Sequence, residues 1–246
     1  MNAAGGRILV VGGVRRLGRA LALDLAAHGA VLCVSSRALG AEADAQVAAL
    51  RAAGAPAATA VAGDVGTAHG AGTLVAEATT ALGGLDALVF AASGPFLPTP
   101  PEEIAEAAWD ASLDIIAKGF FYSAGAAREA FAGGGGVIVA LTDYLGLQPA
   151  GAFAAHGAAK AAQIHLVKEL ARAWAKDGVR VCGVAPGPVD LEDDLHRAAT
   201  LRAAARGEWE RLVSPAAVGA AVRFCLETDG VTGANVIVDN GSLLSS

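Results

Sequence analysis

Several groupings of residues in this chain have the types and spacing to do chemistry. The first is Val10-Val11-Gly12-Gly13-Val14-Arg15-Arg16-Leu17-Gly18, where glycines separate a short apolar run from a helical pattern. Glycines allow a tight turn and close approach of a ligand, and the free amides of a helix start attract a pyrophosphate. On its own such a turn is a weak motif, also met in ordinary strand-to-helix connections. The second is Ser35-Ser36-Arg37, which ends the next apolar run. A dinucleotide site selective for NAD places an Asp or Glu here against the ribose hydroxyls. A hydroxyl and a guanidinium suit a 2′-phosphate instead, and Arg15 in the turn would add a second positive charge. These residues therefore point to NADP(H). The third is His156 with Lys160, one turn apart on a single helix face. An imidazole titrates near pH 6.5 and can serve as a general acid or base around neutrality. The last is Asp190, Glu192, Asp193 and Asp194, which read either as a solvated loop or as an attractor for a cationic substrate.

The elements that must position these residues alternate regularly. Arg7–Gly12, Val31–Ser35, Ala57–Val61, Asp86–Ala91, Val137–Leu141, Val179–Ala185 and Val236–Asp239 are short runs with β-branched residues, expected to be strands buried on both faces. Between them lie helical patterns at Leu17–His28, Ala41–Ala53, Ala68–Leu82, Glu102–Phe131 and Ala152–Lys176, and a less regular stretch from Glu192 to Glu227. This alternation predicts one domain over residues 1–246: a doubly wound α/β (Rossmann) fold with a seven-stranded parallel sheet and helices on both faces.

Composition closes off other classes. No apolar run reaches the roughly 18–20 residues that a membrane span requires. The start lacks the pattern of a secretory signal, so a cytoplasmic location is expected. A net charge of −6 without any Lys/Arg run argues against a nucleic-acid surface and for a small-molecule substrate. Cys33, Cys182 and Cys225 stand far apart in apolar stretches and read as buried free thiols. His28, His69, His165 and His196 have no partners at ligand spacing, so no metal site is expected.

Over nearly its whole length the chain resembles the short-chain dehydrogenase/reductase family. The family's Thr-Gly-x-x-x-Gly-x-Gly turn looks like Val11, Gly12, Arg16 and Gly18, with Val for Thr and Arg for the middle Gly. This Arg16-Leu17-Gly18 variant is similar to pteridine reductases. Gly63-Asp64-Val65 matches the Asp-Val pair at the adenine, Pro186-Gly187-Pro188-Val189 the segment beside the nicotinamide, and Val238-Asp239-Asn240-Gly241 the closing strand. Phe90-Ala91-Ala92-Ser93 stands where the family has Asn-Asn-Ala-Gly, so Ala92 and Ser93 are expected at the cofactor.

The resemblance also locates departures. Ile116 stands in place of the active-site Asn, Asp143 in place of the catalytic Ser (as in pteridine reductases), and His156 in place of the Tyr. Lys160 is retained and is implied to contact the nicotinamide ribose. The family's Tyr donates a proton as hydride arrives; from bond lengths, a His nitrogen falls short of that hydroxyl by roughly 2 Å. Lys160 should disfavour an imidazolium and an ionised Asp143 should favour it. Tyr144 is a second candidate donor, or an aromatic pocket wall. The expected activity is hydride transfer between NADPH and a carbonyl, imine or pteridine-like substrate. The alternative is a degenerate relative that binds NADP(H) or a ligand as a sensor or partner subunit. The family also implies a homodimer or homotetramer paired through the long helices.

Overall fold

The computed structural model describes residues 2–131, 134–191 and 212–244. Its strands are β1 Arg7–Val11, β2 Val31–Ser36, β3 Ala58–Ala62, β4 Ala87–Phe90, β5 Gly136–Leu141, β6 Val179–Pro186 and β7 Asn235–Val238. They form one sheet in the order β3-β2-β1-β4-β5-β6-β7, parallel at every pairing. The helices are α1 Arg16–Ala27, α2 Ala41–Ala52, α3 Ala68–Leu82, α4 Glu106–Leu113, α5 Gly119–Ala130, α6 Ala154–Trp174 and α7, Pro215–Glu227. The expected seven-stranded Rossmann architecture is the observed one. Among the described residues no helix is long and apolar enough to cross a membrane.

Strand alternation divides the interior into two cores. Ile8 and Val10 of β1 join Leu21 and Leu25 of α1 and Val218 and Val222 of α7 on one face. Leu9 and Val11 join Leu74 of α3, Phe120 of α5 and Val167 of α6 on the other. Where the order turns, between β2-β1 and β1-β4, the connections leave in opposite directions and open a crevice beyond the carboxyl ends of the strands. The three cysteines are free and buried.

Three expectations need correction. The pattern Glu102–Phe131 is helical only from Glu106 and carries a π turn within it. A 3₁₀ turn covers Pro101–Glu103, Ile104 and Ala105 are extended, and a π turn at Asp114–Lys118 separates α4 from α5. The first break is at Ile104 and Ala105, whose ψ angles of 112° and 143° leave the helical region. At the second, α5 starts against the β3–α3 loop so closely that a Cβ on Gly119 would stand 2.8 Å from the Val65 carbonyl oxygen. Next, the strands are not all buried on both faces: β7 lies at the sheet edge and leaves Ile237 49% exposed. Lastly, Asp86 is not part of β4. Its carboxylate accepts from the Arg7 backbone amide and guanidinium, fastening the entry of β1. The other element ends fall within about two residues of expectation. Of the stretch from Glu192 to Glu227, α7 is described; Glu192, Asp193, Asp194 and His196 lie outside the described residues.

Candidate active site

A cleft of about 840 Å³ opens at the crevice, and every residue singled out for cofactor or catalysis lines it. At its floor Gly12 adopts φ +78°, and a Cβ there would stand 2.9 Å from the Ala92 backbone nitrogen. The turns after β1 and β4 approach this closely only because position 12 lacks a side chain. Gly12 N–H donates to Ser35 Oγ at 3.2 Å, and a Cβ on Gly18 would overlap the Gly12 carbonyl. Arg16 holds φ +54° where the family pattern has glycine. The backbone keeps the left-handed bend although an L side chain adopts it at a cost of about 1–2 kcal/mol. No side chain caps the start of α1 and its first turn carries no acid. The amides around Leu17 and Gly18 therefore face the cleft as an anion cradle.

Along the cleft, Ser36 Oγ donates to the Ala38 carbonyl at 2.5 Å, closing the loop that carries Arg37 to the exposed rim. Arg15 is less available than its position suggests, since its Nε donates to Glu42 Oε2 at 2.7 Å. Both side chains are mostly exposed, so the pair is weak and screened. Asp64 Oδ1 accepts from Gly66 N–H at 3.0 Å and turns the chain into α3, which leaves Val65 against the cleft. Gly187 N–H donates to the Val238 carbonyl at 2.9 Å, which ties the segment of Pro186, Gly187 and Val189 to β7; these residues line the same cleft as Ala92 and Ser93.

At the far end the structure brings Asp143, His156 and Lys160 together. His156 is 5% exposed, and its Nε2 lies 3.2 Å from Asp143 Oδ2. The contact takes one hydrogen, with Nε2 the donor wherever the carboxyl carries none. His156 Nδ1 is buried with no partner among the described residues. The other Asp143 oxygen accepts from Leu145 N–H at 2.9 Å, capping the 3₁₀ turn Tyr144–Gly146. Burial, then the Asp143 charge, pushes the Tyr144 phenol up to about 12, so it stays protonated. Lys160 is fully buried, and desolvation brings its ammonium down to about 8, against an opposing pull from Asp143. Its Nζ donates to the Leu141 carbonyl at 2.5 Å and to Gln163 Oε1 at 3.1 Å. Ile116 is fully buried; its neighbour Ile115 is the residue that reaches the cleft.

Sequence reasoning missed two contributors. Gln163 lies three residues beyond Lys160 on the same helix face, a spacing that could have drawn attention to it. Phe96 stacks on Phe153 at 4.7 Å and meets the His156 ring edgewise at 4.7 Å. It sits in an irregular segment without periodicity, so no local signal marked it. Among the described residues no group of three or more His, Cys, Asp or Glu side chains is placed to hold a metal.

A doubly wound parallel sheet with a glycine turn at its switch point defines the class of Rossmann-type nucleotide-binding proteins. Comparison with known proteins narrows the class. Residues 12–242 match the family model described as Enoyl-(Acyl carrier protein) reductase. The chain is 34% identical over 239 residues to the cis-4-hydroxycyclohexanecarboxylate dehydrogenase of Sinomonas cyclohexanicum, covering 95% of this chain and 94% of that one. A short chain dehydrogenase from Burkholderia cenocepacia J2315, solved in complex with NADP, superposes with a TM-score of 0.88 at 29% identity, covering 99% and 100% of the two chains. A blue fluorescent protein from a metagenomic library, solved in complex with NADPH, gives a TM-score of 0.86 at 28% identity over 98% and 99%. The chain belongs to the short-chain dehydrogenase/reductase family.

Proposed function

We propose that this protein is an NADP(H)-dependent oxidoreductase acting on a small carbonyl or C=N substrate, including pteridine-like heterocycles, with an Asp143–His156–Lys160 site. The observation that carries the reading is the single cleft joining the α1 anion cradle and Arg37 at one end to Asp143, His156 and Lys160 at the other. The residues present fit the cofactor: Gly12 and Gly18 put no side chain at the closest backbone approaches of the turn, the start of α1 is uncapped, and Arg37 stands at the rim beside Ser36. The solved complexes of the two structural relatives with NADP and NADPH agree with that choice. Gly12, Arg16, Leu17 and Gly18 would hold the pyrophosphate, with Arg15 lending charge. Ser36 and Arg37 would take the 2′-phosphate, Asp64 and Val65 the adenine, and Ala92, Ser93, Pro186, Gly187, Val189 and Lys160 the nicotinamide half. When bound, NADPH supplies a hydride.

The chain's own residues must handle the proton. Asp143 is the more exposed member of the pair, 18% against 5% for His156. The carboxyl is therefore the member of the pair that substrate can reach, with His156 Nε2 at one oxygen and Leu145 N–H at the other. A carbonyl substrate needs one proton as hydride arrives; the pair supplies it from its singly protonated state, an imidazolium beside a carboxylate, by passing the Nε2 hydrogen through the Asp143 carboxyl to the carbonyl oxygen. The neutral imidazole and carboxylate left behind regain a proton from solvent in the cleft. A protonated C=N needs none and gains from the carboxylate charge. Tyr144 remains a hydrogen-bonding wall. His156→Phe and Asp143→Asn should each lower carbonyl turnover by about 10²–10⁴-fold and leave NADPH affinity nearly unchanged. Full turnover in both variants would show that the pair does not move the proton.

A second reading, binding of NADP(H) without turnover, is favoured by Ile116 and by the deep burial of His156. A panel of aldehydes, ketones, cyclic imines and pterins separates the two: binding of NADPH with no oxidation on any member supports the second. Trp109, Phe121 and Tyr122 on α4 and α5 are about 40% exposed, and we assign this face to pairing with a second copy of the chain.

A further inference from the structure

The face of α6 behind the cleft carries an unusual side chain. Gln163 is completely buried, where helix periodicity calls for an apolar residue. Its Oε1 accepts from Lys160 Nζ at 3.1 Å, and its Nε2 has no partner among the described residues. A buried carboxamide with one end unsatisfied costs free energy that a leucine of similar size would not. Packing therefore does not account for Gln163, whereas its bond to the ammonium does. Lys160 has three N–H donors deep in the fold. Leu141, at the carboxyl end of β5, takes one and Gln163 takes another, which leaves the third for the cleft that Lys160 lines.

We infer that Gln163 is a positioning residue for Lys160: its carbonyl holds the ammonium charged and aims the remaining N–H into the cleft. Other charged groups do not duplicate this role. Asp143, from the loop after β5, is the carboxylate that stabilises the Lys160 charge, and it does so across space without a bond to Nζ. On α6 itself His156 turns its Nε2 toward Asp143. Tyr144 stays neutral. Asp114 of the π turn packed against α6 is bonded to Lys118 at 2.6 Å. Burial brings Lys160 down to about 8, and losing an acceptor of the ammonium acts in the same direction. The effect of Gln163 on cofactor affinity rests on the function proposed above, but its effect on Lys160 does not.

The chain has four lysines, Lys118, Lys160, Lys168 and Lys176, so full-length protein labelled with ¹³C at lysine Cε gives four resolvable titrations without cofactor. Lys160→Arg identifies the Lys160 signal by its loss. The expected result is that Gln163→Leu lowers the Lys160 midpoint by about one pH unit, the size of a lost hydrogen bond to a charge. Gln163→Glu should raise it, with the other three lysines unmoved. If Gln163→Leu does not fold, Gln163→Met and Gln163→Glu carry the same comparison. An unchanged Lys160 midpoint in the folded variants overturns the inference. NADPH fluorescence titrations from pH 6 to 9 then read the consequence: the alkaline loss of affinity should move with the Lys160 midpoint. A shifted midpoint with unshifted NADPH binding keeps the Gln163–Lys160 coupling and removes Lys160 from the proposed cofactor site.

Discussion

Arg37 stands at the rim of the cleft, on the loop that Ser36 ties to the Ala38 carbonyl. A guanidinium there can form a bidentate pair with a phosphate, and no carboxylate at position 36 or 37 is present to favour a bare ribose. NADPH should bind at least about tenfold more tightly than NADH, roughly 1.4 kcal/mol, and Arg37→Ala should erase the difference. Calorimetric titration of both cofactors checks this, and equal affinities for the unmodified protein would remove the basis for NADP(H). Lys160 carries a second prediction. Its folded value of about 8 lies below the ordinary 10.5 because burial disfavours the charge. Between those limits the unfolded chain holds a proton that the folded chain has released, so stability rises with pH across that window. Lys160→Met should remove this rise, visible as a smaller gain in urea midpoint from pH 8 to pH 10 than the unmodified protein shows. Residues like these differ in how visible they are before folding. Gly12, Arg37 and Lys160 announce themselves by sequence position, whereas Gln163 becomes meaningful only once its carbonyl is seen on Nζ.

Among the elements, the strands and the glycine turn were legible because both follow local rules. A parallel strand is a short β-branched run, and Gly12 and Gly18 occupy positions where a Cβ would meet backbone. Within Glu102–Phe131 the helix was legible from Glu106 on, but the π turn at Asp114–Lys118 was not, since it lies where Gly119 packs close against the Val65 carbonyl, a tertiary contact that local propensity does not report. The exposed face of β7 was missed for a related reason: a four-residue apolar run looks the same at the edge of a sheet as in its middle. Two substitutions test these elements. Gly12→Ala should lower stability by about 1–2 kcal/mol, because the alanine needs φ +78° and the Ala92 backbone must retreat. It should also weaken NADPH binding, measurable in the same titration. Arg180 of β6 donates to the carbonyls of Cys225, Leu226 and Val231 and so holds the carboxyl end of α7 against the sheet. Arg180→Leu strands those oxygens and should cost about 2–4 kcal/mol in urea denaturation.

For the molecule as a whole, the apolar face of α4 and α5 predicts that copies associate, and Phe121→Glu with Tyr122→Glu should shift sedimentation toward the monomer. The sheet order has a different kind of consequence, which concerns the chain while it is still being made. β1 ends up between β2 and β4, and Ile8 pairs with Ala87. At about 5–20 residues per second, a ribosome needs roughly 4–16 s to deliver that second partner after the first strand. During that interval one edge of β1 has only unfinished chain and solvent beside it, and an unpaired apolar edge recruits other nascent chains. Slow codons placed between Ala41 and Leu85 should therefore reduce the yield of soluble protein more than the same codons placed beyond β6, where the middle of the sheet has already closed.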